Sequence, residues 1–187
     1  ERKDLPIDPY VLGVLIGDGC MTNSQWTDNR TCLLISNNEN DVVKRFASRL
    51  KSTRIVEYKK SYTKSVYCDD AFAIHKYLKD VGLCTYSYNK YIPHEYLFSS
   101  IEQRKELLAG LFDTDGCVDD GSFRFTTTSE RLRDDVLHLV RSLGYNATCT
   151  KDKRAYKYTS GVCYDVFIRT SDEIFHSKKH KERYAEY

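Results

Sequence analysis

No apolar run in this sequence is long enough to cross a bilayer: the longest, such as Val11 to Ile16, fall far short of the roughly 20 residues that a spanning helix needs. Nothing at the N-terminus has the charged, apolar and small-residue order of a secretion signal, so an intracellular protein without a membrane partner is expected. Cysteine occurs seven times (Cys20, Cys32, Cys68, Cys84, Cys117, Cys149 and Cys163) but never as C-x-x-C, and the number is odd. That pattern argues against a zinc site and a closed disulfide framework, leaving free thiols in a reducing compartment. An excess of either charge is also missing. A formal net charge of +2 does not announce a nucleic-acid binder, so such a reading has to rest on how charge is distributed. No stretch rich in proline and glycine divides the 187 residues, which suits one domain or two closely packed ones.

What is there is a unit written twice. The first copy opens with a helix-like apolar segment ending in Gly17-Asp18-Gly19, followed by a strand-like stretch from Arg30 to Ile35. A polar break from Ser36 to Asn40 precedes an amphipathic helix, Asp41 to Leu50, whose Val42, Val43, Phe46, Ala47 and Leu50 follow helical spacing. The second copy repeats the order. Asp113-Thr-Asp115-Gly116 ends a helix, Ser122 to Thr128 reads as a strand, Ser129-Glu130 breaks it, and Val136, Leu137, Leu139, Val140 and Leu143 mark the matching helix. Each copy runs on into β-rich sequence, residues 54–68 and 147–169; Val162, Tyr164, Val166 and Ile168 alternate there with Cys163, Asp165, Phe167 and Arg169. Proline in Asn89-Lys-Tyr-Ile-Pro93 marks a turn between the copies, and Ser100-x-x-Gln103 has the form of a capping box opening the second motif helix. The expected fold is α+β, one pseudo-symmetric domain with halves at residues 1–97 and 98–187.

Each motif segment has a glycine near its middle, Gly13 or Gly110, set among apolar residues. Small residues at those positions let two helices approach closely. Each segment ends in Asp-Gly, where the glycine can take the left-handed conformation that stops a helix and leave the aspartate on its last turn. With the helices side by side about a pseudo-two-fold axis, Asp18 and Asp115 meet. Two carboxylates at helix C-termini repel each other and face the negative ends of both helix dipoles. A divalent cation compensates that arrangement: Mg²⁺ takes a few carboxylate oxygens, keeps water, and completes its shell with phosphate. An Asp-Gly turn after a buried helix is common on its own; its recurrence in a second copy, with the stretch Leu108-Ala-Gly-Leu-Phe-Asp-Thr-Asp-Gly116, is not.

These residues resemble the LAGLIDADG family of homing endonucleases, and within it the endonuclease domains carried inside inteins. The resemblance runs through Tyr10-Val-Leu-Gly-Val-Leu-Ile-Gly-Asp-Gly19, Val81-Gly-Leu, Asn89-Lys-Tyr-Ile-Pro93, the second motif, and Val140-Arg-Ser-Leu-Gly144. It implies a pseudo-two-fold fold of two αββαββα-like halves, with a central helix pair and a saddle of antiparallel sheets. It also implies a monomer acting on chromosomal DNA, which cuts both strands of a long asymmetric duplex site across the minor groove and leaves short 3′ overhangs. Mg²⁺ is the implied metal, with Mn²⁺ as a substitute, held by Asp18 and Asp115 with Gly17 and Thr114 beside them. A lysine in each site is implied as well: Lys90, just before the Ile-Pro turn, and Lys179 within Ser177-Lys178-Lys179-His180. Asp113, whose counterpart in the first motif is Ile16, is expected to shape nearby contacts and not to catalyse. Residue 1 is glutamate and no His-Asn pair ends the chain, so self-splicing is not expected.

A saddle of two four-stranded sheets would offer one face to the major groove. Phe123 and Phe125 belong to the core, so Arg124 and Thr126 should face DNA. In the first half, Lys59, Ser61, Thr63 and Ser65 alternate with Tyr58, Lys60, Tyr62 and Lys64, and either set could be the outer one. The expected DNA contacts are therefore Arg30, Lys59, Lys60, Lys64, Arg124, Thr126, Lys151, Lys153, Lys157 and Arg169. Several of the fifteen tyrosines lie among basic residues, where they could position the backbone. The alternative is a binding module or RNA-splicing maturase on the same scaffold, which would be expected to lose a motif acid; both are present.

Overall fold

The computed structural model describes residues 1–21, 32–59, 61–119, 122–155 and 160–186. At its centre are two helices, α1 (Pro9–Asp18) and α5 (Ile101–Asp115). Pro9 suits the first turn, where its missing N–H is no loss, and Asp8 caps the helix by accepting from Tyr10 N at 3.0 Å and Val11 N at 3.2 Å. Every residue from Pro9 to Ile16 is buried, as expected for a helix that is apolar all round. Helix α5 starts with the capping box foreseen at Ser100 and Gln103 and enters the core only from Leu107 onward.

The two helices cross at their glycines. A Cβ on Gly13 would lie 2.5 Å from Leu107 O and 2.8 Å from Leu111 N, and one on Gly110 would lie 2.4 Å from Tyr10 O. Backbone meets backbone there, and no L side chain fits. The Asp-Gly ends differ from expectation in one respect. Gly19 (φ −69°, ψ 130°) and Gly116 (φ −89°, ψ 158°) are extended, not left-handed. The chain leaves each helix directly toward a sheet, and glycine is needed because a Cβ would fall 2.3 Å from Leu15 O or Phe112 O.

Both sheets are antiparallel. The second has four strands in the order β4 (Gly116–Asp119), β5 (Ser122–Thr127), β7 (Ser160–Arg169), β6 (Asn146–Ala155). The first has three strands among the described residues, in the order β1 (Cys32–Ser36), β3 (Thr63–Tyr67), β2 (Arg54–Glu57). Gly19 bridges Ile35 in the first sheet as Gly116 pairs with Phe125 in the second, so the same step of chain joins each motif helix to its sheet. The amphipathic helices α2 (Asn40–Ser48) and α6 (Glu130–Ser142) bury Val42, Val43, Phe46 and Ala47, and Leu132, Val136, Leu139 and Val140. Helix α3 (Ala71–Asp80) packs on β1, and the short α4 (His94–Leu97) follows the Ile-Pro turn. One continuous apolar core joins residues of both halves. The C-terminal segment closes it: Phe175 and His180 pack with Phe112, and Phe175 also meets Phe123 and Tyr184 of helix α7 (Lys178–Tyr184).

Candidate active site

The glycine crossing brings the C-terminal ends of α1 and α5 together, and with them Asp18 and Asp115. Their environments differ. Burial raises the Asp18 carboxyl above its ordinary range, while a hydrogen bond from Asn37 and the Lys90 charge oppose the rise. Asn37 Nδ2 donates to Asp18 Oδ2 at 2.6 Å. Asp115 opens onto the cleft, but densely surrounding protein and then the charge of Asp18 push it up to about 7, against the pull of Lys90.

Lys90 is buried beside both acids. Its ammonium donates to Ile16 O at 2.5 Å and Gly17 O at 3.0 Å, satisfying carbonyls that the end of α1 leaves open. Burial pulls its pKa down, and Asp115, Asp18 and Cys20 hold it up in that order. Its position is set from the other half of the molecule: Ser129 Oγ, the N-cap of α6, donates to Lys90 O at 2.6 Å, and Asp135 Oδ2 of α6 accepts from Ile92 N at 2.8 Å. The arrangement is reciprocal, since Asp41 Oδ2 of α2 accepts from Lys178 N at 2.6 Å.

Two clefts flank the helix ends, and each holds one predicted aspartate and one predicted lysine. A cleft of about 190 Å³ is lined by Asp18, Asn37, Thr114, Ser177, Lys179 and His180. The other, about 260 Å³, is lined by Gly17, Ser87, Lys90, Asp115, Thr126 and neighbouring threonines. The pairing is crossed: Asp18 faces the lysine of the second half, and Asp115 that of the first. The lysines are not alike, however. The Lys179 side chain is 63% exposed and, among the described residues, its Nζ reaches only Glu39, at 3.6 Å, an ion pair of little weight in water. Asp113 has the structural role expected of it, accepting from Tyr10 OH, His176 N and Ser177 N, each at 2.9 Å.

Of the two residues placed beside the acids, Gly17 offers a carbonyl that already accepts from Lys90. Thr114 directs its hydroxyl hydrogen back along its own helix, toward Leu111 O (2.8 Å) and Gly110 O (3.2 Å). No cluster of three or more His, Cys, Asp or Glu side chains is placed to hold a metal among the described residues.

On the second sheet, Phe123 and Phe125 are in the core and Arg124 and Thr126 lie on the opposite face, as expected. Register places Thr148, Thr150, Asp165, Phe167 and Arg169 on that face too, and Thr126 Oγ1 donates to Asp165 Oδ1 at 2.6 Å. Two basic residues lie elsewhere than expected. Lys64 is in register with Ile35 and therefore on the core side of its sheet; it is buried, and its Nζ donates to Asn37 O at 2.8 Å. Lys151 is paired with Tyr164, over whose ring both it and Arg133 of α6 sit, so it belongs to the helix side. Lys59 is exposed in the turn after β2. Arg30, Lys60, Lys157 and the side chain of Lys153 lie outside the described residues. Asn37, Asp41, Ser129 and Asp135 were not foreseen; the one signal for them is that each sits at or just after the break between a strand and its amphipathic helix, or on that helix.

Residues 102–187 match the model of a LAGLIDADG-like domain. The whole chain has the LAGLIDADG fold. It superposes on the homing endonuclease I-DmoI in complex with DNA and Ca with a TM-score of 0.58, covering 97% of this chain and 98% of that one at 15% identity. Mesophilic variants of I-DmoI give 0.56, with 97% and 96% covered at 16% identity. In sequence, the chain is 33% identical over 188 aligned residues to the replicative DNA helicase DnaB of Mycobacterium intracellulare. That alignment takes in 98% of this chain but 28% of the helicase.

Proposed function

We propose that this chain is a site-specific homing endonuclease that hydrolyses one phosphodiester bond in each strand of duplex DNA with the help of a divalent metal. The observation that carries the reading is the pair of clefts, each with a motif aspartate and a lysine, joined at the crossing of α1 and α5. The donor set fits a hard cation. It comprises carboxylate and carbonyl oxygens, too few to close a coordination shell, so that water and phosphate would complete it, as Mg²⁺ prefers; Mn²⁺ would serve in its place. The burial that raises both acids, and the Asp18 charge that further raises Asp115, are what a cation beside them would relieve. Bound there, the metal would neutralise phosphate charge and lower the pKa of a coordinated water.

The chain's own residues do the rest. Asp18 and Asp115 provide the anionic anchor, with Asn37 fixing the orientation of Asp18. Lys90 holds a positive charge at the Asp115 cleft, where a pentacovalent phosphate would gain negative charge, and Lys179 has the same part at the Asp18 cleft with a freer side chain. The helix-free faces of the sheets differ in chemistry: Arg54, Val56, Ser65 and Tyr67 on the first, Arg124, Thr126, Thr148 and Thr150 on the second. Unlike faces suit a monomer reading a long asymmetric target. Cleavage across the minor groove with short 3′ overhangs, action on chromosomal DNA inside the cell, and an intein-type origin complete the reading. The alignment with part of a helicase supports that origin, a nuclease carried inside a host protein. Helicase chemistry is not supported, since no G-x-x-x-x-G-K-[ST] phosphate loop occurs in the sequence.

The test is linearisation of a plasmid library carrying randomised inserts, with Mg²⁺ or Mn²⁺. Recovery of linear products sharing one sequence is the expected result. Tight binding without cutting of any member would leave a DNA-binding module on the same fold.

A further inference from the structure

The turn that ends in Lys90 carries two large rings that the described fold leaves uncovered. Tyr86 is 61% exposed and Tyr88 57%, and they stack on each other with centroids 5.6 Å apart and planes 9° from parallel. Scattered exposed aromatics need no explanation. This pair differs in being adjacent, stacked and held on a tight single 3-10 turn, Ser87–Asn89, closed by Asn89 N to Tyr86 O (3.0 Å) and Lys90 N to Ser87 O (3.3 Å). Asn89 Nδ2 also donates to Thr85 Oγ1, and Thr128 Oγ1 donates to Ser87 Oγ at 3.4 Å, tying the turn to the second half. Ser87, between the two rings, lines the Asp115–Lys90 cleft. The two rings therefore flank, in the chain, a residue of the cleft wall.

We infer that Tyr86 and Tyr88 form a platform for DNA, packing on the deoxyribose and base edges next to the phosphate held at Asp115. This rests on the endonuclease reading for its partner and extends it to residues outside the motif. The chemistry matches. The cleft wall offers the hydroxyl of Ser87 to the sugar–phosphate chain, while the rings offer flat apolar area, which stacks on sugars and bases whatever their sequence. Aromatic side chains placed at a groove also help open a base step for bending. Because the turn adjoins one cleft only, its effect should fall on one strand.

The test uses a duplex selected from a randomised library by binding to the full chain in metal-free buffer, so that selection does not depend on cutting. Tyr86→Ala/Tyr88→Ala should bind that duplex about thirtyfold more weakly or worse, since each lost aromatic contact weakens binding about fivefold or more. The slope of affinity against salt should stay unchanged, because no phosphate contact is removed. Tyr86→Phe/Tyr88→Phe should bind within about threefold of the parent, because rings and not hydroxyls are at work. With Mg²⁺, the alanine variant should slow cutting of one labelled strand more than the other, and 2-aminopurine beside that cut should report a changed stack. Binding of the alanine variant within twofold of the parent, or an equal loss in the phenylalanine variant, would overturn the inference. If the parent binds but never cuts, the endonuclease reading falls while the platform is still judged on the binding loss. If no duplex is selected, both fall.

Discussion

Asn37 donates to the carboxylate of Asp18 at 2.6 Å, and among the described residues no side-chain amide does the same for Asp115. The two acids therefore face one another from unlike surroundings. Asn37 is itself held from two sides, its backbone oxygen by Lys64 Nζ at 2.8 Å and its side-chain oxygen by Glu39 N at 2.7 Å. A buried amide so fixed sets the direction of Asp18.

Replacing Asn37 by alanine should consequently slow cleavage of one strand by about 10- to 100-fold, the usual loss when an outer partner of a metal-site ligand is removed. The measurement is the ratio of nicked to linear plasmid over time. Accumulation of a nick on a single, defined strand is expected; equal slowing of both strands would remove Asn37 from the Asp18 site.

Asp115 yields a prediction about stability. Its folded pKa, about 7, lies above the value near 4 of an unfolded aspartate. Between those values the folded state binds more protons than the unfolded one at this group, so Asp115's contribution to metal-free stability is full below about pH 4 and is lost as pH rises through 7. Asp115→Asn removes that penalty. In EDTA the variant should melt a few degrees above the parent at pH 8, with the difference shrinking toward pH 5, while Mg²⁺ should raise the parent's Tm more than the variant's. A variant no more stable than its parent at pH 8 would show that Asp115 carries no such strain.

The meeting of the two aspartates was legible because an Asp-Gly helix end appears twice, and the burial of Phe123 and Phe125 because a strand with one clearly apolar face fixes its own orientation. Lys64 was not. The sequence leading into and through its strand reads Lys-Ser-Tyr-Thr-Lys-Ser and alternates polar residues in both phases, so alternation leaves two registers equally good, and only pairing of Lys64 with Ile35 reveals the core side. Lys151 failed for a related reason: on a long hairpin, an exposed lysine on the helix side looks like one on the DNA side. Asn37, Asp41 and Asp135 act through chain segments distant in sequence, which no local pattern records. Lys90 and Lys179 came from family resemblance, which has no means of distinguishing a buried ammonium from an exposed one.

That distinction should be visible in kinetics. Lys90→Met removes a buried charge placed between two acids and leaves Ile16 O and Gly17 O without their donor. Single-turnover cutting should fall about 100- to 1000-fold, as when one preorganised donor is deleted from a reaction site. Lys90→Arg should not restore it, because a planar guanidinium does not fit a pocket shaped around a point charge. Lys179→Met should cost less, about tenfold or under, given that its side chain is free to be replaced by Lys178 or by water. Equal losses in the two methionine variants would mean that Lys179 moves into place when DNA binds.

The glycine crossing is the remaining test, and it concerns the fold before the chemistry. Gly13 and Gly110 each leave a Cβ less than 2.6 Å from a backbone oxygen of the facing helix, and backbone cannot move aside as a flexible side chain can. Gly13→Ala or Gly110→Ala should force α1 and α5 apart, costing about 1–3 kcal/mol and lowering Tm by roughly 2–4 °C for each kcal/mol in a chain of this size. Separation also spreads the helix ends, so Asp18 and Asp115 should no longer share a common site. A variant that folds should therefore bind DNA yet lose concerted cutting, and relaxed repulsion should bring the Asp115 carboxyl back toward its ordinary range. If either alanine variant keeps the parent's melting temperature and its double-strand cutting, the helices have room that their present separation does not show, and close approach is not what holds the two acids together.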